Sequence, residues 1–503
     1  MDQTCRWCQK SFRIEPEDLE FYQTISPTFG GKKFEIPPPT LCYQCRLQRR
    51  LLFRNERNLY RRNCELTGKP TLTIFSEPYR MYSREAWWGD SWNELAYGRD
   101  FDFSKTVAEQ LKSLSLAVPH SNMYQVNCEN SEYSNQTLNC RNCYLLFGGG
   151  NSENVLYSKF VVNSHDVMDA LSVNKLEWCY EASYCDSCYG CQYVSYSRNC
   201  GNSLFIEDCE SCQDCLLCVG LDHAQYYVMN KSVGKEAYEK MKAELMPLTH
   251  EKTEMLRAKL AQLRASVPKR PHLFGSENCT GDLVVNSKNC FSCFDATNCE
   301  DSKYINFGPK NIRSYDCIFS APDGLRFCYE MCSTSGMETS MAVYLGWNGG
   351  STYYSQECQF CHDVFACVSM KKKQYCILNK QYTKEDYEKL VARIIEHMKE
   401  TGEWGEYMNP LASSFGYNES IAQEYFPLTR EQALEKGFKW RDQEVPLVAP
   451  ASGDALTCQQ CQKPYKLIDQ ERAFYEKFQL PIPNLCPNCR HKRRVAIRPT
   501  FTV

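Results

Sequence analysis

Along this chain the apolar positions fall mostly in short clusters, and the wider spacing of an amphipathic helix is rarer. Between residues 123 and 392 the clusters are pieces such as NVLYSKFVV, SLFI, DLVV, KYINF and MAVYL, separated by Asn, Ser, Gly, Asp and Cys. Short β-branched and aromatic runs broken so often by turn formers predict an all-β body. Helical spacing appears in FSKTVAEQLKSLSLAV, where Val107, Leu111, Leu114 and Val118 share a face and Pro119 ends the run. KEAYEKMKAEL and EMLRAKLAQLRASV predict further helix before Pro268. Thr383 and Asp386 open another helix, with Tyr387, Leu390, Val391, Ile394 and Ile395 on its apolar side, and Thr429 caps a short one.

The β pattern occurs twice. Cys209 to Lys240 and Cys358 to Lys389 match without a gap at 14 of 32 positions, among them Cys209, Cys212, Cys218, Asn230, Lys231 and Tyr238. Upstream, Trp178-Cys179-Tyr180-Glu181 returns as Phe327-Cys328-Tyr329-Glu330 at the same offset of 149, and Cys140-x2-Cys143 returns as Cys290-x2-Cys293. Landmarks near Cys140, Phe160, Cys179, Cys200 and Cys218 are spaced by 18 to 21 residues, which predicts a stacking coil of that length. The expected fold is mainly β with helices: duplicated right-handed parallel β-helix (solenoid) blocks with helical caps, flanked, where Cys5-x2-Cys8 is followed by Cys42-x2-Cys45 and Cys458-x2-Cys461 by Cys486-x2-Cys489, by two zinc-ribbon modules. A β-sandwich is the alternative, but its hairpin signals are missing. The expected order is a zinc ribbon with a basic helix (1–63), an aromatic-rich helical connector (64–122) and a first block with its cap (123–243). A helical connector (244–273), a second block (274–400), a linker with a short helix (401–453) and a second ribbon (454–503) follow.

Thirty-two cysteines in 503 residues change the picture. No run approaches the roughly 18 apolar residues of a membrane span, and the start lacks a signal peptide's regions, so a cytoplasmic protein is expected. In a reducing compartment such cysteines are metal ligands or small buried hydrophobes. Seven Asn-Cys dipeptides in the blocks favour the second use there, since Asn tolerates left-handed corners and Cys fills a narrow interior. The run Cys209-x2-Cys212-x2-Cys215-x2-Cys218 also has the spacing of an iron–sulfur loop, a possible extra metal site. Val219 stands where such loops carry Pro, and the second block has Val364 in place of Cys215, both of which weigh against a cluster.

Metal-ligand spacing is sharper at the ends. Cys5-x2-Cys8 with Cys42-x2-Cys45, and Cys458-x2-Cys461 with Cys486-x2-Cys489, each offer four thiolates, the donor set of a closed structural zinc site. A basic run follows each quartet: Arg46, Arg49, Arg50, Arg54, Arg57 and Arg61, then Arg490, Lys492, Arg493, Arg494 and Arg498. In the first run, 46, 50, 54, 57 and 61 would share one face of a helix. Each end carries a net charge of +5 and the middle −13, so the termini are the expected face toward a polyanion. Asn63-Cys64 has no obvious partner.

Both ends share C-x2-C-Q-K, an acidic stretch, Phe-Tyr, prolines, Leu-Cys-x2-Cys-Arg and x2-Arg-Arg. The tail resembles the bacterial probable zinc-ribbon, or treble-clef-like, domain, and the whole chain resembles uncharacterised cysteine-rich proteins of reduced-genome bacteria that carry such ribbons. The resemblance implies zinc on the four cysteines of each end, and nucleic acid is the usual supposition for the domain. The scattered histidines, including His165-Asp166 and His362-Asp363, form no catalytic motif. The expectation is therefore a non-catalytic zinc protein binding nucleic acid, RNA before DNA, through basic ends on a rigid solenoid. A protein-interaction scaffold is the rival, with an iron–sulfur or carbohydrate-active protein behind it.

Overall fold

From Asn127 to Met229 and from Asn278 to Asn379, nearly every third residue holds a positive φ near 50–60°, whatever its side chain. The computed structural model describes residues 1–442 and 455–499; the linker expected at PLVAPASGD lies outside the described residues. A left-handed residue turns the chain, so a corner every three residues makes very short sides. The backbone hydrogen bonds then go to the equivalent segment one repeat further on. Asn135, Phe147, Lys159, Leu171 and Ser183 pair in parallel in that order, as do Glu153, His165 and Glu177. Successive pairing positions, like the corners Asn127 and Asn139, are 12 residues apart. That is the true repeat, and the longer coil read from cysteine landmarks is not. The cysteines among those landmarks, 39, 21 and 18 residues apart, sit on the three-residue rhythm, whereas Phe160 is itself a corner at φ 54°.

The residue after each corner faces the interior. Cys179, Ala182, Cys185, Cys188, Cys191 and Val194 form one such run, all at most 3% exposed. Small sides leave a narrow core, which explains why Cys, Ser, Ala and Val dominate it. In the Asn-Cys dipeptides the Asn is the corner, with φ of 51° at Asn139 and 53° at Asn142, and the Cys is the inward residue. Corner amides also stack: Asn127 donates to Asn139 at 3.1 Å, Asn139 to Asn151 at 2.9 Å, and Asn151 to Asn163 at 3.1 Å.

The chain divides into two compact units. One holds described residues 1–122, 271–442 and 499, so the amino-terminal quartet shares a unit with the second β stack; the other holds 123–270 and 455–498, the first stack with the carboxyl-terminal quartet. Both are mainly β with helices.

The duplicated stretch ends each stack. Asn230 accepts from Val219 N at 2.9 Å and donates to Val219 O at 2.8 Å; Asn379 does the same to Val368 at 2.9 and 2.8 Å. One amide side chain thus satisfies the backbone groups that the next strand would have taken. The helices Lys235–Leu245 and Lys384–Thr401 follow, burying Tyr238 and Tyr387. The first was expected as an end cap, but it lies along the side of its stack. Tyr238 Oη reaches Asn202 O at 3.1 Å and its ring lies 5.9 Å from that of Tyr226, two repeats further on. The helices expected at Val107–Ala117, His250–Ser266 and Arg430–Glu435 are present. None of the described helices is long and apolar enough to cross a membrane.

Candidate metal centres and their arginine helices

Each quartet is assembled from a tight hairpin and a helix start. At the amino end, Asp2–Thr4 pairs with Ser11–Arg13, Cys5 N donates to Lys10 O at 2.9 Å, and Gln9, at φ 58°, donates its N–H to Cys5 O at 2.9 Å. The tail repeats this: Leu456–Thr457 pairs with Pro464–Tyr465, Cys458 N reaches Lys463 O at 3.1 Å, and Gln462 at φ 60° reaches Cys458 O at 3.0 Å. The second cysteine pair opens a helix, with Cys42 as the N-cap of Tyr43–Leu51 and Cys486 as the N-cap of Pro487–Val495. The positive end of a helix favours thiolate there.

Within each quartet all four sulfurs lie within 4.8 Å of one another. Cys8 and Cys42 Sγ are 3.7 Å apart, as are Cys461 and Cys486. A tetrahedral zinc with bonds of about 2.3 Å sets its sulfurs about 3.8 Å apart, so both quartets fit such an ion and neither is a pair of disulfides. The hydrogen bond with Cys45 pulls the Cys42 thiol down to about 5. Burial would raise Cys458, but N–H donors from Cys486, Cys461 and Gln460 hold it at about 6. Cys5, Cys8, Cys42, Cys45, Cys458, Cys461, Cys486 and Cys489 could thus hold two metal ions such as zinc, and they would do so structurally, since four thiolates leave no open position.

Among the described residues no other such group forms. Cys209, Cys212, Cys215 and Cys218, a possible extra site on spacing alone, are four successive inward residues of one repeat. Each thiol points at the carbonyl two residues back, Glu207, Glu210, Gln213 and Leu216, at 3.3–3.4 Å. They are interior thiols, separated by the corners between them.

Most of the arginines after each quartet are buried against carboxylates. Helix Tyr43–Leu51 ends before Arg54, so no single helical face runs to Arg61, which sits in the strand Tyr60–Asn63. Arg46 Nη2 meets Asp316 at 2.9 Å, Arg49 meets Glu330 at 2.9 Å and Glu406 at 2.6 Å, and Arg50 pairs with Glu330 and, at 3.0 Å, with Asp316. Arg54 bonds Glu56 at 2.6 Å and Ser333 Oγ at 2.5 Å. In the other unit Arg490 meets Asp169 at 3.2 Å and Glu471 at 2.9 Å, Arg493 meets Glu181 at 2.6 Å, and Arg494 meets Asp169 at 2.7 Å. All of these except Arg493 are at most 3% exposed in the side chain. Arg57 and Arg498 are half-buried, and Arg61 and Lys492 are exposed.

The two ends use one scheme. Arg46, Arg49 and Arg50 stand one, four and five residues after the last ligand, as do Arg490, Arg493 and Arg494. Their partners are stacked corners: Asp169 and Glu181, at φ 58° and 51°, lie one repeat apart, and Asp316 and Glu330, at 57° and 54°, lie one repeat apart with a two-residue insertion between them. These carboxylates were not identified from sequence, although the repeated Cys-Tyr-Glu contained Glu181 and Glu330. Glu471, bonded also by Tyr157 Oη at 2.6 Å, belongs to the acid-x2-Phe-Tyr pattern that Asp18 shares.

One Ser–His–Glu chain also occurs, but sealed inside. His120 lies 2.9 Å from Glu357 and 2.8 Å from Ser115 O and is fully buried, so both ring nitrogens are engaged and no substrate reaches them. His165 lies exposed 3.4 Å from Asp166.

Comparison with known proteins adds little. No family model and no curated protein matches the chain. Among solved structures, a chain of Desulfovibrio desulfuricans G20 assigned as an acetyltransferase is similar over 48% of this chain, at 9% identity and a TM-score of 0.11. This chain spans 63% of that one, and so low a TM-score carries no argument.

Proposed function

We propose that the chain is a non-catalytic, zinc-dependent scaffold for protein partners. In this reading the two bodies are β-solenoids of short coils, copies of one duplicated block. The ends are zinc-ribbon modules that clamp onto them. Zinc fixes the helix that carries each arginine trio, and the trio docks on two stacked corner carboxylates. One observation favours the scaffold over the nucleic-acid reading: Arg46, Arg49, Arg50, Arg490 and Arg494 are consumed by buried carboxylates. A polyanion reaching them would have to displace charge-assisted bonds already made in a dry site. Of the eleven basic residues in the two runs after the quartets, two, Arg61 and Lys492, are exposed, although Arg6, Lys10, Lys32, Lys33, Lys463 and Lys466 are exposed elsewhere at the ends.

The test is a pull-down with the full chain, with and without nuclease, beside RNA and DNA binding across a salt series. The scaffold reading expects partners that survive nuclease and nucleic-acid binding that is weak or absent. Tight binding whose affinity falls with salt by several phosphate contacts, at about 0.9 log units per contact, would overturn it. Metal content should be two ions per chain and unchanged in Cys212→Ala, because that thiol is interior lining.

A further inference from the structure

We propose that residues 60–88 are a third module of the ribbon type, one that has lost its metal site and holds its shape with hydrogen bonds around the Cys64 sulfur. Five features at the two quartets recur here. The strands Tyr60–Asn63 and Pro70–Thr73 form an antiparallel hairpin closed by Asn63 opposite Pro70, as Thr457 lies opposite Pro464. Cys64 N donates to Lys69 O at 2.9 Å, the bond that Cys5 makes to Lys10 and Cys458 to Lys463. Gly68, at φ 70°, donates its N–H to Cys64 O at 2.8 Å, in the place of Gln9 and Gln462. A helix, Arg84–Trp88, then starts against the hairpin with Ser83 as its N-cap. Ser83 N donates to Cys64 Sγ at 3.2 Å, where Cys486 N donates to Cys458 Sγ at 3.3 Å.

Superposed in this way, Cys64-x2-Thr67 stands for Cys458-x2-Cys461, and Ser83-x2-Ala86 for Cys486-x2-Cys489. The sequence keeps a trace: CELTGKP against CQQCQKP. Three of four ligand positions carry Thr, Ser and Ala, a set that cannot bind a thiophilic ion. The fifth feature concerns docking. Trp87 follows the fourth ligand position as Arg46 and Arg490 do, with Trp87 N bonded to Ser83 O at 2.8 Å as Arg46 N is to Cys42 O at 3.0 Å. Trp87 is fully buried, and its Nε1 donates at 2.8 Å to Ser369, a corner residue at φ 56°. The third module therefore grips the same stack without a guanidinium–carboxylate pair and without metal: an indole and a hydroxyl take that place, beside Lys371 Nζ, which donates to Trp87 O at 2.6 Å and Gly89 O at 2.8 Å.

This inference rests on the reading that the quartets bind metal, and the experiment separates the two. Thr67→Cys, Ser83→Cys and Ala86→Cys would be combined in the full chain, and cobalt titrated as the probe by its thiolate charge-transfer absorption. The native chain should bind two ions and the variant three, a rise of half in the final absorbance. A native count of zero would sink the metal reading of the ends. A native count of two with a folded variant that also binds two would overturn the third module. Should the variant fail to fold, hydrogen exchange on the native chain after chelation decides. The Cys64 and Gly68 amides should keep their protection while those of Cys5, Gln9, Cys458 and Gln462 lose theirs; equal loss at all three hairpins would refute the proposal.

Discussion

Replacing Asp169 by Asn tests the docking scheme most directly. Asn keeps the shape and tolerates the φ of 58° at this corner, so backbone strain does not enter the comparison. What is lost is one negative charge facing Arg490 Nε at 3.2 Å and Arg494 Nη1 at 2.7 Å, in pairs whose side chains are at most 2% exposed. Solvent cannot screen the loss. Breaking a buried pair from one side typically costs about 3–5 kcal/mol, because a charge is left without its counterion. Arg490 keeps Glu471 at 2.9 Å, whereas Arg494 keeps the neutral Tyr157 O at 2.9 Å, so the expected figure is about 3 kcal/mol, most of it at Arg494. Trp178 reports the event: it is the only tryptophan among the described residues of its unit, and its ring lies 3.3 Å from Lys477 Nζ and 5.6 Å from Phe478. With 5-fluorotryptophan, the fluorine signal of Trp178 followed through urea should show a midpoint lowered by about 1.5 M, taking a denaturant slope of about 2 kcal/mol per molar. Adding Arg494→Gln should then cost little more, with a coupling of about 2 kcal/mol between the two sites. A midpoint moved by less than about 0.25 M would refute the reasoning, since a carboxylate that matters so little is not balancing two buried cations.

Two further outcomes follow from the same geometry. Asn379→Ala should cost about 3–5 kcal/mol in chemical denaturation, since it orphans two buried backbone groups of Val368 and puts Ala at φ 62°; Asn230→Ala, in a half-buried copy, should cost less, and a loss below about 1 kcal/mol for Asn379→Ala would contradict the strand-end role. Glu181 supplies an acid dependence: burial opposes its charge, but Arg493 and Arg257 hold its pKa at about 2, below the ordinary 4.5. Its contribution is therefore complete above about pH 4.5 and is lost as pH falls toward 2, so stability against pH over that window should be flatter in Glu181→Gln than in the native chain, and parallel curves would exclude the pair.

The three-residue rhythm was written in the sequence. Cysteines at 209, 212, 215 and 218, with Asn before so many others, state both the corner and the inward position, yet landmarks 18 to 21 residues apart hid it, because one of them, Phe160, is a corner and the cysteines among them lie many repeats of three apart. The two quartets were equally legible. A metal site needs only the right donors at a spacing that one short hairpin and one helix start can satisfy, and both are local. Cys64 was not, because its module no longer has the ligands that make such a hairpin recognisable.

What the sequence determined alone was thus local: where metal could be held, where the chain repeats, where helices begin. Its arginine runs read as open cationic faces, and only the tertiary structure shows that Arg46, Arg49, Arg50, Arg490 and Arg494 meet buried carboxylates. Arg46 meets a carboxylate 270 residues away and Arg494 one 325 residues away. Charge along a chain says how many cations there are, but whether a guanidinium faces water or a buried carboxylate depends on which segments pack together, and no local pattern carries that.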